Sequence, residues 1–570
     1  FPYFSNIAAT RVLMQDKREK TVEKYNHYLR DNMLIVGKFQ DKETRKFAEG
    51  FVQFYEGGYL IAEGDYTAMS KKTGEWKYYY PTGILKLKEF YKDDKLTGET
   101  YAYYKNGSIE SYVKFGEDEV VKERKEYEYN GDLESHSILK AKDEYEVTYY
   151  NADGSIMRKI NLVNDKVKDG KYTILFPNGK VDKEMEFKDQ ALNGPYTAYF
   201  EDGKLKESYT MREGKAEGVY TAYYNNGNLK TKYTIKNGKK EGNYTDYYEN
   251  GVAHLRREMA GDKLNGAFEY LDKQGNAYGI VQLKNDKGIS AQFKDKEGKV
   301  VYEKTDKQGL NPYEVYNASG VKITSLPQDE DGKITGKASY FFDFGVLREE
   351  TNFKKDVMNG LSTNYAKNGK VSVERNYVEG MTDGYYKAFG SHGQVQAEGW
   401  FKDDKMVGVW HHNYSNGQVQ RSYFMLNEKM NGPEKNYSLN GKLELINHYD
   451  NGVLIGFTQY DSSGKVIKEQ ELSKGNGRYT TLYFNGNTAF DVGVKNGRFQ
   501  GPYTISGPAK EKLEEGNYLN GQKNGSYSSY YSNGKLRLKG NYASGNKTGL
   551  WILYSEVGEV ESETEFIVHE

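Results

Sequence analysis

Aromatic and polar residues alternate along this chain in a frame that repeats every 24 residues. Glycine marks the frame at Gly50, Gly74 and Gly98, and again at Gly170, Gly194, Gly218, Gly242 and Gly266. A second series runs from Gly336 to Gly456 and a third from Gly477 to Gly549. Counted from the marker glycine, position +2 is usually aromatic (Tyr172, Tyr196, Tyr220, Tyr244, Trp410, Tyr527). Rings return at +5 and +6, as in Tyr79-Tyr80, Tyr103-Tyr104 and Tyr223-Tyr224. A second glycine falls at +9, often after Asn, an aliphatic residue follows at +11, and another ring stands near +15. Asn-Gly between two aromatic runs predicts a hairpin with a type I′ turn, whose central residues both need positive φ. Each unit therefore reads as strand, Asn-Gly turn, strand and a second, charged turn such as Lys92–Gly98 or Lys402–Gly408. Two glycines in every 24 residues exclude long helices from the body of the repeat.

One hairpin is not stable alone in water, but stacked hairpins pair every internal strand. The predicted fold is all-β: an elongated, largely single-layer antiparallel sheet of about 22 stacked hairpin repeats. The phase slips near 267–335 and 457–476, which divides the chain into 1–49, 50–287, 288–476 and 477–570. Outside the repeat, Met14–Asn32 places Val22, Tyr25 and Leu29 at helical spacing, so a short amphipathic helix is expected to cap the first hairpin.

The unit Gly218–Gly242 (GVYTAYYNNGNLKTKYTIKNGKKEG) and the unit Gly525–Gly549 (GSYSSYYSNGKLRLKGNYASGNKTG) resemble the MORN repeat variant of bacterial proteins, often labelled antitoxin-like. The resemblance runs over about 50–570 and implies the hairpin fold. Its label implies an antitoxin or immunity role.

Composition narrows the chemistry. The 54 tyrosines among 570 residues suit a half-buried β-surface rather than a disordered chain. With no Cys, neither disulfides nor thiolate metal sites can form, and 81 basic against 82 acidic residues give no global attraction to nucleic acid. No apolar run is long enough for a membrane helix. The eight histidines are scattered, and the adjacent His411 and His412 point to opposite faces of a strand, so no metal site is expected. Gln328–Gly332 fails as a calcium loop, because Pro327 and Ala338 stand where ligands are needed. No Gly-Lys pair is followed by Ser or Thr, which excludes a P-loop. Carboxylate pairs such as Asp93-Asp94 and Asp403-Asp404 recur at equivalent turns, and recurrence marks a turn solution rather than an active site. No catalytic, cofactor-binding or metal residues are expected.

The expected function is a non-catalytic scaffold of the bacterial cell envelope. Protein partners, as parts of a larger envelope complex, would dock on a tyrosine-rich face through Tyr103, Tyr104, Tyr223, Tyr224, Tyr247, Tyr248, Trp410, Tyr530 and Tyr531. Phe1–Ala9 reads as an apolar stretch running into a small-residue cleavage region, so an exported protein, periplasmic or outer-membrane associated, is expected, with a cytoplasmic one as the alternative. Glycan or cell-wall binding, toxin neutralisation and surface adhesion stand beside the scaffold reading. The irregular stretches 267–335 and 457–476 are where a specific site is expected, because they break rules that the other repeats obey.

Overall fold

The computed structural model describes residues 33–37, 39–41, 46–306 and 309–566. The helix expected over Met14–Asn32 lies outside them, and among the described residues there is no helix. The chain forms two compact units, Phe1–Lys168 and Asp169–Glu570. In the first, Met33–Val36 pairs with Gly50–Glu56, and from there each strand pairs antiparallel with the next as far as Lys166–Val167. The second holds three such runs: Gly170–Leu175 to Val300–Thr305, Tyr313–Tyr316 to Val466–Glu471, and Gly477–Leu482 to Val560–Phe566. None closes into a barrel. The runs stop inside the two stretches where the sequence repeat loses phase.

The turns differ from expectation. In the loop Tyr80–Gly83, the Gly83 N–H donates to the Tyr80 carbonyl and the Tyr80 N–H to the Ile84 carbonyl, both at 2.8 Å. Only Gly83 has positive φ (82°). This is a type I turn closed by a glycine bulge, not a type I′ turn. The Asn-Gly units behave alike: Asn106 stays right-handed, its Oδ1 accepts the Ser108 N–H at 2.9 Å, and its Nδ2 donates to the Tyr129 carbonyl at 3.1 Å. The mirror-image turn sits at the other end of the strands, in the charged loops. There Asp93 and Asp94 (φ 54° and 68°) and Asp403 and Asp404 (49° and 64°) take the two left-handed positions, which Asn and Asp tolerate better than other non-glycine residues. The second aspartate also stitches neighbouring units together. Asp404 Oδ1 accepts the Thr382 N–H at 2.6 Å while the Asp404 N–H donates to the Thr382 carbonyl at 2.9 Å. The marker glycine keeps its identity for backbone reasons. A Cβ on Gly218 would meet nothing within 4 Å, but its φ of 80° would strain any L side chain.

A sheet built this way buries little, and burial concentrates at the ends of the runs in the second unit. Tyr270, Val281, Phe293, Leu310, Tyr313 and Val315 form one apolar cluster between the first and second runs. Leu454, Phe457, Leu472, Tyr479 and Val492 form another between the second and third.

Candidate protein-docking face

The two sheet faces carry different chemistry, and the inward rings are structural. At +2 and +15 they stack into a ladder, Tyr196–Tyr209–Tyr220–Tyr233–Tyr244, with successive centroids 4.6, 5.6, 4.6 and 4.6 Å apart. The +6 hydroxyls reach one repeat onward to backbone. Tyr104 donates to the Tyr127 carbonyl, Tyr224 to Tyr247 and Tyr531 to Tyr554, each at 2.7 Å, and Tyr248 to Leu271 at 2.8 Å. Of the other residues expected to meet a partner, Tyr530 donates to Glu515, while Tyr103, Tyr223 and Tyr247 are half-buried. Trp410 is only 3% exposed, sealed by Phe401 and Tyr386 at 5.2 and 5.7 Å. These nine residues are spread over many repeats rather than gathered into one site.

The outward face is polar in most repeats. Its cross-strand pairs join +1 to +16: Glu99 opposite Lys114, Lys171 opposite Glu186, Asn243 opposite Glu258. Two consecutive repeats break the rule. Tyr385 lies opposite Trp400 and Val409 opposite Phe424. Trp400 also faces Val407 on the next strand, and the Tyr385 and Trp400 rings are 5.2 Å apart. Tyr385, Trp400, Val409 and Phe424 are 39%, 52%, 48% and 41% exposed, so large apolar groups meet water across four adjacent strands. Nothing in the hairpin requires them, since other repeats fold with Lys, Glu, Asn or Thr in these places. Sequence reasoning passed over Trp400 for the buried Trp410. The available signal was an aromatic at +16 paired with an apolar +1, where Lys114, Glu186, Thr210, Thr234 and Glu258 stand elsewhere and Phe90 faces Glu75.

Behind this face His412 is held between strands. Its Nε2 lies 3.1 Å from the Tyr423 hydroxyl, the two rings stack at 5.8 Å, and burial, then the Arg421 charge, lowers its pKa. Burial lowers that of His254 as well. A depressed imidazole gives stability that is complete above the unfolded value near 6.5 and is lost as pH falls below it. Thermal melts at pH 7.5 and 5.0 should therefore show acid destabilisation, shallower in a His254→Gln/His412→Gln variant. Equal acid sensitivity in both proteins would refute this assignment.

These features define a protein of stacked antiparallel β-hairpin repeats with a local apolar face. Six of its repeats match the MORN repeat variant family model, at residues 72–93, 168–189, 192–212, 216–237, 430–451 and 523–544. No curated protein matches the chain. Among solved structures the chain is similar to the Photorhabdus luminescens Tc holotoxin pore, at 10% identity over 94% of this chain and 32% of that one, with a TM-score of 0.12. A TcdB2–TccC3 crystal structure gives 11% identity, 93% and 34% coverage, and a TM-score of 0.13. The chain thus spans about a third of the length of these structures.

Proposed function

We propose that this chain is a non-catalytic repeat scaffold of the bacterial cell envelope, and that a partner protein docks on the outward face at Tyr385, Trp400, Val409 and Phe424. One observation carries the reading: two adjacent repeats place large exposed apolar side chains where the fold itself is satisfied by polar ones. Aromatic anchors surrounded by a polar rim are the usual centres of binding energy at protein interfaces. The neighbouring outward column supplies that rim through Lys387, Glu398, His411 and Ser422.

The test is to tag the protein at its native locus, fractionate the cells, cross-link and identify captured proteins, comparing the natural chain with a Trp400→Ser/Phe424→Ser variant. The expected result is an envelope fraction with a reproducible stoichiometric partner set, lost in the variant while its melting temperature is unchanged. Partner capture that survives the double substitution would overturn the docking face. A cytoplasmic protein bound to one small toxin would overturn the scaffold reading, and binding of purified peptidoglycan that depends on Trp400 would replace it with glycan recognition.

A further inference from the structure

A cavity of about 1040 Å³ opens in the second unit where the first and second strand runs meet. One wall comes from the strands Ala253–Ala260, Lys263–Leu271 and Ala277–Lys284, the other from Tyr313–Tyr316, Lys322–Leu326 and the loop 328–334. The repeat slips phase here, so the two runs cannot continue one another's hydrogen bonding, and the space between them is lined by Leu255, Phe268, Leu283, Val315, Ile323 and Leu326. Its size is that of cavities which enclose small organic ligands.

The polar groups within it are few and incompletely used. Tyr270 and Tyr313, 9% and 8% exposed, bring their hydroxyls to 3.1 Å from each other. Two hydroxyls own two protons, and only one can lie in the contact between them, so the other points elsewhere. No other protein group hydrogen-bonds to either hydroxyl among the described residues. Gln328 Oε1, also in the lining, is buried and accepts no hydrogen bond. A buried donor and a buried acceptor left unmatched are costly unless a guest supplies the partners. At the rim stand the exposed Asp286, Asp331 and Asp356 with Lys263 and Lys333. Two of these carboxylates are already committed, Asp286 Oδ1 to the Leu264 N–H at 2.6 Å and Asp356 Oδ1 to the Ile334 N–H at 2.7 Å. Away from these exposed side chains the interior offers apolar walls, the Tyr270–Tyr313 hydroxyl pair, the Gln328 amide acceptor, the Tyr278 and Thr324 hydroxyls and the His254 ring, and no Asp, Glu, Lys or Arg. A charged guest would lose its hydration there without gaining a buried counter-ion.

We infer that this cavity is a binding site for a small uncharged molecule with an apolar ring body and a hydroxyl group, the hydroxyl lying against the Tyr270–Tyr313 pair and Gln328. The inference is independent of the outward docking face, which lies on other strands. The probes are 2-naphthol and its hydroxyl-free counterpart 2-methylnaphthalene, titrated against the full chain by fluorescence and ligand-observed NMR. The natural protein should bind 2-naphthol about tenfold more tightly. Tyr270→Phe/Tyr313→Phe, which removes both hydroxyls, should lose most of that preference while 2-methylnaphthalene still binds. Leu283→Trp, and separately Ile323→Trp in case the first disturbs folding, should weaken binding of both probes by crowding the apolar wall. No binding of either probe to the natural chain would overturn the site, as would affinities left unchanged by both tryptophan substitutions. Equal affinity of the natural chain for the two probes would overturn the role of the hydroxyl pair.

Discussion

Arg421→Met should destabilise the second unit by about 3 kcal/mol, and adding Glu434→Gln should recover most of that loss. Glu434 is 6% exposed and forms an ion pair with Arg421 on the neighbouring strand. Breaking such a pair from one side leaves a charge without solvent or counter-ion, which costs far more than the pair contributes. The guanidinium also lies 4.5 Å over the Tyr423 ring, but methionine retains much of that packing. From Glu434 the network runs on: Asn447 Nδ2 donates to its Oε2 at 2.9 Å, and the Tyr479 hydroxyl donates to Asn447 Oδ1 at 2.8 Å. Tyr479 belongs to the third strand run and packs at a tilt against Phe457 of the second, with ring centroids 4.3 Å apart. The pair therefore helps fix how two sheets meet, not only how two strands pair. Denaturant unfolding with hydrogen exchange should show protection lost at 453–482 in Arg421→Met and regained in the double variant. If the double variant is no more stable than the single one, the uncompensated charge is not the cause.

What the sequence made legible followed from recurrence. A glycine every 24 residues, rings at fixed offsets and charged loops between them specify hairpins pairing in chain order, and the strands lie where that spacing puts them. The type I′ turn expected at Asn-Gly is not found there, because Asn-Gly serves both a two-residue type I′ loop and a type I turn with a glycine bulge. The two differ in loop length by one residue, which neighbouring strands decide and composition does not. Several of the tyrosines expected to meet a partner bind the protein's own backbone, for an instructive reason. Residues repeated in every unit do what every unit needs, and for Tyr104, Tyr224 and Tyr531 that is to hold the backbone of the next repeat. Exceptions carry more information, and Tyr385 with Trp400 and Val409 with Phe424 pair apolar groups across the outward face in consecutive repeats. The cavity could be located to the irregular stretch 267–335 but not described. Its walls come from two strand runs whose mutual placement no local pattern encodes.

The tryptophans at +2 supply the sharpest test of this repeat logic. Trp76, Trp410 and Trp551 are 1%, 3% and 2% exposed, and each covers a glycine on the preceding strand. A Cβ on Gly64, Gly399 or Gly540 would come within 2.3, 2.2 and 2.3 Å of the indole. In two units a tyrosine at +2 packs on a tyrosine of the preceding strand, Tyr209 before Tyr220 and Tyr233 before Tyr244, while Gly516 faces Tyr527 and Val492 faces Tyr503. Large-over-absent and medium-over-medium are thus two solutions to one volume. Gly399 has no left-handed φ to protect, so only the ring excludes a side chain there. Gly399→Tyr alone must expel Trp410 from its niche and should cost about 3 kcal/mol. Trp410→Tyr alone leaves a smaller ring over the glycine and should cost about 1–2 kcal/mol. The double variant recreates the Tyr209–Tyr220 arrangement and should unfold within about 1 kcal/mol of the natural chain, a coupling energy well outside ordinary additivity. Strictly additive losses in that cycle would mean that the glycine is held by something other than the indole above it, and the interchangeability of the two ring pairs would fall with it.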